Sequence, residues 1–189
     1  MDTIKDGTGK GYSLQIDSKN RMRGYVVIEE EAAYINRVEK EMYSGQWNGA
    51  IIADTANNWI VYLKNTSVKD LIINKVKHRA SGSNGTISFW CNVDGNPTSG
   101  SYTVLTPNNR NAGSNNEADC IYYKGSEIEG LSGGRQIGSI YGKDGEEFEY
   151  AEPCSGFIIP PNSNFVIKAS DTDTYHYGGL AFYFRDAEK

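Results

Sequence analysis

Apolar and polar residues alternate with a period of two along much of this chain, in short runs. In Thr86–Val93, for example, Ile87 and Phe89 alternate with Ser88 and Trp90. Such alternation is typical of a half-buried β-strand. Further short apolar runs with strand character occur at Ala50–Ala53, Trp59–Lys64, Asp70–Val76, Tyr102–Leu105, Ala118–Lys124, Arg135–Tyr141, Phe157–Ile159, Phe165–Ser170 and Gly179–Phe184. Together they predict an all-β fold, an antiparallel β-sandwich of the jelly-roll type.

The same pattern predicts which face of a strand each side chain occupies, and it predicts turns and loops between the strands. Trp59, Val61 and Leu63 are predicted to share one face of their strand, and Leu180, Phe182 and Phe184 are predicted to face the core. Lys143–Glu146 is predicted to be a hairpin turn, and Thr106–Glu117 a polar loop.

Two stretches depart from the strand pattern. Residues 1–24 are polar and glycine-rich and predict an extended N-terminal docking arm, which leaves 25–189 as the sandwich domain, with a first strand at Tyr25–Ile28. Glu29–Tyr43 has the composition of a short helix, with Ile35, Val38 and Met42 as a narrow apolar stripe and Gly45 as its end. A strand and loop in which the sheet overrides helix propensity is the alternative.

Composition narrows the function classes. The net charge of −5 argues against nucleic-acid binding, which needs a basic surface. No apolar run is long enough for a membrane span, and the polar N-terminus lacks the apolar region of a secretory signal. Cys91, Cys120 and Cys154 are an odd number without a C-x-x-C motif, so reduced thiols in a reducing cytosol are expected.

No motif in the sequence predicts an active site, a metal site or a cofactor. Asp6–Gly11 is glycine-rich but lacks the G-K-[ST] ending of a phosphate loop, and Ser132–Arg135 lacks the G-x-S-x-G frame of a nucleophile elbow. His78 is predicted to end a strand, and His176 to lie in a turn at Tyr175–Tyr177. No catalytic residue and no enzyme activity are therefore predicted.

Two groups of side chains remain as candidate sites. Asp171–Thr174 could offer oxygens to Ca²⁺, although an Asx-turn explains this segment equally well. Four aromatic residues could form a sugar-stacking platform, or else belong to the core or an interface: Trp47, Trp90, Tyr122 and Tyr123.

Short motifs give the chain a resemblance to a known class of proteins. The string Asp6-Gly7-Thr8-Gly9, then Tyr12, Ile16-Asp17 and Asn20-Arg21-Met22, resembles the opening of a group of tailed-bacteriophage virion proteins. Phe157–Ser163 and Gly179–Phe184 are similar to their later segments. Met22 stands where a leucine is usual.

The resemblance implies a head decoration or head-fibre protein, a virion component made in the bacterial host cytoplasm. It implies a symmetric oligomer, often a trimer, whose closing strand lies inside the sandwich and whose arm contacts the major capsid protein, other virion subunits or its own copies. The arm residues expected at such contacts are Tyr12, Ile16, Asp17, Arg21 and Tyr25. The alternatives are a carbohydrate-binding or adhesin module of a phage tail or cell surface, and a hydrolase with a Ca²⁺-supported loop.

Overall fold

The computed structural model describes residues 3–5, 13–16, 22–23, 31–52, 58–151, 156–169 and 174–186. The chain divides into two compact units, Met1–Glu31 and Ala32–Lys189. In the first unit three short strands form an antiparallel sheet in chain order: β1 (Thr3–Lys5), β2 (Ser13–Ile16) and β3 (Met22–Arg23). The docking role of residues 1–24 stays a prediction, and the strand predicted at Tyr25–Ile28 lies outside the described residues.

A short helix, α1 (Glu31–Tyr34), continues into a π-helical turn at Ile35–Glu39 and ends at Lys40, whose φ of 58° is left-handed. The helix predicted within Glu29–Tyr43 is thus confirmed, but two of the three residues predicted to form its apolar stripe do not do so. Met42 already belongs to the next strand, and Val38 is 46% exposed. The cause is tertiary: strand pairing outweighs the helix propensity of this segment.

The rest of the described chain forms two large antiparallel sheets. Sheet I contains, in spatial order, β10 (Asn108–Asn109), β4 (Met42–Ile52), β17 (Tyr175–Arg185), β6 (Asp70–Ser81) and β14 (Glu147–Ala151), with β15 (Phe157–Ile159) also paired to β6. Sheet II contains, in spatial order, β13 (Arg135–Gly142), β7 (Gly85–Cys91), β16 (Asn164–Ala169), β5 (Trp59–Asn65), β11 (Cys120–Lys124) and β9 (Thr103–Val104). A separate small ladder pairs β8 (Asp94–Gly95) with β12 (Leu131–Ser132).

One hydrophobic core joins the two sheets and confirms the all-β sandwich. Its largest buried side chains are Trp47, Tyr43, Tyr122, Phe89, Phe165 and Phe182. Leu180 and Phe184 lie in the same core, as predicted. Their strand, β17, pairs with β4 on one side and with β6 on the other, so it lies inside sheet I.

Lys143–Glu146 is a tight turn, in which the Glu146 amide donates to the Lys143 carbonyl at 3.1 Å. It does not close a hairpin, however, because β13 belongs to sheet II and β14 to sheet I. The turn carries the chain from one sheet to the other. The prediction of a hairpin here was wrong, since turn residues alone do not say whether the strands they join pair with each other.

The polar loop at Thr106–Glu117 anchors the helical segment to the sandwich. The Asn111 side-chain amide donates to the Asn36 carbonyl at 2.8 Å, and the Asn109 side-chain amide donates to the Lys40 carbonyl at 2.7 Å. The asparagines of this loop therefore satisfy carbonyls at the end of a helix, where intrahelical donors run out.

Candidate functional site: the outer face of sheet II

The outer face of sheet II carries a cluster of aromatic side chains beside polar ones. On β7, Ile87 and Phe89 point into the core, whereas Trp90 packs on the opposite face of the sheet. This confirms the predicted alternation for Ile87–Trp90. The prediction was wrong at Val93, which packs on the same face as Trp90 because it lies beyond the end of β7 at Cys91. Around Trp90 the partly buried aromatic residues of the outer face are Trp59, Tyr102 and Tyr123.

A β-bulge brings Trp59 to this face. Val61 pairs with Ile167 but Trp59 pairs with Lys168, so Ile60 is an extra residue in its strand. A bulge turns the side chains that precede it relative to those that follow. The prediction that Trp59 shares the face of Val61 was wrong for this reason, because no residue pattern in β5 announces the bulge.

Trp59, Trp90 and Lys168 form what we call the indole corner. The two indole rings lie edge to face, with centroids 5.5 Å apart and planes at 84°. The Lys168 ammonium lies 4.9 Å from the centroid of Trp59 and 5.3 Å from that of Trp90, within the range of cation–π attraction. Among the described residues Lys168 makes no ion pair.

Polar groups border the indole corner on β7 and β13. The Trp90 indole N–H donates to the Ser88 hydroxyl at 2.8 Å, and this hydroxyl donates to the Lys168 carbonyl at 3.3 Å. Gln136 pairs with Trp90 across the strands, and Ser139 pairs with Ser88. Gln136 and Ser139 are exposed, so an amide and a hydroxyl face solvent next to the rings.

A stack of tyrosines continues the face toward β9. The rings of Tyr102 and Tyr123 lie parallel with centroids 3.9 Å apart, and Tyr62 stacks on Tyr123 at 6.1 Å. Burial raises the pKa of Tyr123, and its hydrogen bond with Tyr102 adds to the rise. Both effects favour the neutral phenol of Tyr123.

A second, smaller core holds this face rigid. Tyr62 and Val166 are buried beneath Val93 and Ile128, which belong to the segments that cover the sheet. Asn164 clamps one of these segments: its side-chain oxygen accepts from the Val93 amide at 2.9 Å and its side-chain nitrogen donates to the Val93 carbonyl at 2.8 Å.

The four aromatic residues singled out in the sequence divide between two places. Trp90 and Tyr123 lie on the outer face of sheet II, whereas Trp47 and Tyr122 lie in the core and are 0% and 1% exposed. The four rings therefore cannot form one platform. Trp90 and Tyr123 lie on the outer face of sheet II, and Trp47 and Tyr122 are buried between the two sheets. Sequence reasoning did not find Trp59 and Lys168, which join the site only through strand register.

Of the residues predicted at arm contacts, the structure describes Ile16 alone. It ends β2 and pairs with Met22 of β3. Tyr12, Asp17, Arg21 and Tyr25 lie outside the described residues, and their contacts stay predictions.

The two histidines, distant in sequence, meet inside the sandwich. His78 lies on β6 and His176 on β17, because both strands extend further than predicted. The His78 Nε2 and His176 Nδ1 atoms are 3.0 Å apart, the rings stack at 5.3 Å, and both side chains are fully buried. The positions predicted for them, a strand end and a turn, were wrong. No sequence pattern indicates this contact, because only the register of β6 against β17 brings the two histidines together.

Two glycines of sheet II make room for this histidine pair. Gly85 and Gly142 pair with each other across β7 and β13. A Cβ atom at Gly142 would lie 3.0 Å from His78 Cε1, and one at Gly85 would lie 3.0 Å from His176 Cε1. The pair therefore fills the space between the sheets and has no exposed atom with which to meet a substrate.

Cys91 and Cys120 are free thiols, as predicted, and Cys154 lies outside the described residues. Burial raises the pKa of the Cys120 thiol to about 12, and the charge of Asp119 adds to the rise. A thiol of this kind is a poor nucleophile, because the thiolate is the reactive form.

Among the described residues no three His, Cys, Asp or Glu side chains converge as a metal site would require. Asp171–Asp173, the core of the Ca²⁺ candidate, lie outside these residues. Within the described part of the chain, no helix has the length and apolar character needed to span a bilayer.

We compared the chain with known protein families, with curated proteins and with solved structures, and none of the three comparisons gave a match.

Proposed function

We propose that this chain is a non-enzymatic structural protein of a tailed-bacteriophage virion, a capsid decoration or head-fibre protein. Its N-terminal segment attaches it to capsid or other virion subunits, and its sandwich associates with further copies. The support is that the phage-like motif, from Asp6 to Met22, falls wholly within one compact unit, Met1–Glu31, and the sandwich strands belong to the other unit.

The physical basis of attachment is a short segment that offers backbone and side-chain contacts to a partner surface. A segment of this kind adds main-chain hydrogen bonds when it docks. If the copies form a closed symmetric oligomer such as a trimer, several segments attach at once and the total affinity rises steeply with their number.

The surface of the sandwich offers side chains suited to contacts between subunits. Tyr141, Tyr175 and Tyr177 are 54%, 39% and 36% exposed. Tyrosine is enriched at protein interfaces because a large apolar ring ends in a polar hydroxyl.

The test is binding to purified phage capsids that lack the protein. We expect the full chain to bind and a chain of residues 32–189 to bind at least tenfold more weakly, provided that it keeps the melting temperature of the sandwich. Ile16→Ala and Ile158→Ala form a matched pair, since Ile158 lies on β15 of the sandwich and is 48% exposed. Only Ile16→Ala should weaken capsid binding.

Equal binding by residues 32–189 and the full chain would sink the proposal. Light scattering at several concentrations tests the oligomer separately: a closed oligomer supports the symmetric arrangement, and a monomer at every concentration contradicts it.

A further inference from the structure

The indole corner combines an apolar surface, a cation and hydrogen-bonding groups in one place. We propose that Trp59, Trp90 and Lys168, with Gln136 and Ser139 beside them, bind an oligosaccharide that carries a carboxylate. This site lies on the sandwich and goes beyond the attachment function, on which it does not depend.

The aromatic part of the site suits a sugar ring. A pyranose has a face of C–H groups and an edge of hydroxyls, and the negative face of an indole attracts the C–H groups. The two rings, at 84°, offer a floor and a wall for such a ring. Gln136 and Ser139 are exposed beside them, and their side chains can donate to and accept from sugar hydroxyls.

Lys168 selects for an acidic sugar. Its ammonium lies near both rings and makes no ion pair within the described part of the chain. A sugar stacked on either ring would bring a ring carboxylate within reach of this cation. A charge-assisted hydrogen bond of this type is roughly twice as strong as one between neutral groups. The interaction therefore distinguishes an acidic oligosaccharide from a neutral one of the same shape.

The site is held in place before any ligand arrives. The bulge at Ile60 sets the direction of Trp59, and the hydrogen bond from Trp90 to Ser88 holds the second ring. The small core of Tyr62, Val166, Val93 and Ile128 covers the sheet on the same side. Stacking on the two indole rings then costs little side-chain entropy, because these rings are already ordered.

The test is a titration of the full chain with tetragalacturonate, a hyaluronan tetrasaccharide and sialyllactose, followed by calorimetry and by tryptophan fluorescence. Galactotetraose is the neutral comparison. We expect at least one of the acidic oligosaccharides to bind at least tenfold more tightly than galactotetraose. Lys168→Gln should remove that preference, and Trp90→Ala should reduce binding of the acidic ligand at least tenfold.

Lys64→Gln is the matched control, because Lys64 is another half-buried lysine of sheet II, at the far end of β5 from Trp59. It should bind like the unchanged chain. If Trp90→Ala fails to fold, as judged by its melting curve, Lys168→Gln and Gln136→Ala carry the test, since both positions are at the surface of the sheet.

Two results would overturn the proposal. One is no binding to any of the acidic oligosaccharides at millimolar concentration. The other is equal affinity of Lys168→Gln and the unchanged chain for the acidic ligand. These outcomes are read on the isolated protein, so they are independent of capsid attachment.

Discussion

The two sheets pack closely where Gly45 contacts Tyr122, and a substitution at Gly45 tests this packing. Gly45 lies on β4 in sheet I, and the ring of Tyr122, from β11 in sheet II, lies directly over it. A Cβ atom at residue 45 would overlap Tyr122 Cε1 and lie 2.8 Å from Cδ1. The Tyr122 hydroxyl donates to the Gly45 carbonyl at 3.4 Å, and this hydrogen bond also keeps the ring over residue 45.

Gly45→Ala should therefore destabilise the sandwich. Tyr122 is 1% exposed, so its ring cannot swing into solvent, and the sheets must move apart or the ring must leave its rotamer. Overpacking of this kind costs about 1–3 kcal/mol. The lower backbone entropy of alanine in the unfolded chain returns about 0.4–1 kcal/mol. The mid-range values of these two effects give a net loss of about 1.3 kcal/mol, or roughly 3–5 °C in melting temperature for a domain of this size.

Urea and thermal denaturation of the full chain measure this loss. Gly113→Ala is the matched control: Gly113 lies in a loop, and the nearest atom to an added Cβ is Asn111 Oδ1 at 3.5 Å. It should be neutral or slightly stabilising. Tyr122→Leu removes the obstructing ring atoms, so Gly45→Ala should cost about 1 kcal/mol less in that background than in the unchanged chain.

The reasoning is refuted if Gly45→Ala melts at or above the temperature of the unchanged chain. It is also refuted if the effects of Gly45→Ala and Tyr122→Leu add without coupling, because the two positions would then not touch.

Four further outcomes test buried polar groups. His176→Phe should lower the free energy of unfolding by about 1–3 kcal/mol, because His78 loses its buried partner. Changing both histidines to Phe should cost less than the sum of the two single changes. Thermal melts of His78→Phe, His176→Phe and the double variant measure these differences. Asn65→Ala should cost about 2–4 kcal/mol in urea denaturation, since the side chain of this fully buried residue donates at 2.8 and 2.9 Å to two carbonyls and accepts two further hydrogen bonds. Burial raises the pKa of Tyr43 from 10.0 to about 12, so the stability that its neutral phenol contributes is present below pH 10 and is lost as the pH rises toward 12. Tyr43→Phe should therefore flatten the decline in the free energy of unfolding between pH 9 and pH 11. Urea denaturation measures this decline, and an unchanged slope would contradict the prediction. Iodoacetamide at pH 8 should label Cys120 far more slowly in the folded than in the urea-unfolded chain, as read by peptide mass spectrometry, because a pKa of about 12 leaves little thiolate; equal rates would disprove the burial argument.

The strand pattern of the sequence was enough to predict the class of fold. Ile87 and Phe89 of β7 and Leu180, Phe182 and Phe184 of β17 do face the core on the predicted side, whereas Val93, beyond the end of β7, packs on the outer face. Each of these strands buries one row of side chains against the opposite sheet, and a period-two pattern records that burial directly.

Long-range register explains what the sequence did not predict. Trp47 is buried only because Gly178 on β17 leaves space beside it, where a Cβ would overlap the indole. Trp59 reaches the outer face through a bulge, and the histidines meet through the pairing of β6 with β17. None of these relations is encoded within a single strand, so no window of sequence could reveal them.

The place of β17 has a consequence for synthesis on the ribosome. Its partner β4 is translated more than a hundred residues earlier, and β6 also precedes it by a long interval. At typical elongation rates the interval from β4 to β17 is a delay of roughly 6–25 s. Through that interval β4 and β6 lack the strand that joins them, and unpaired strand edges invite pairing with other nascent chains. These edges therefore stay open to pairing with other chains until β17, the last described strand, emerges.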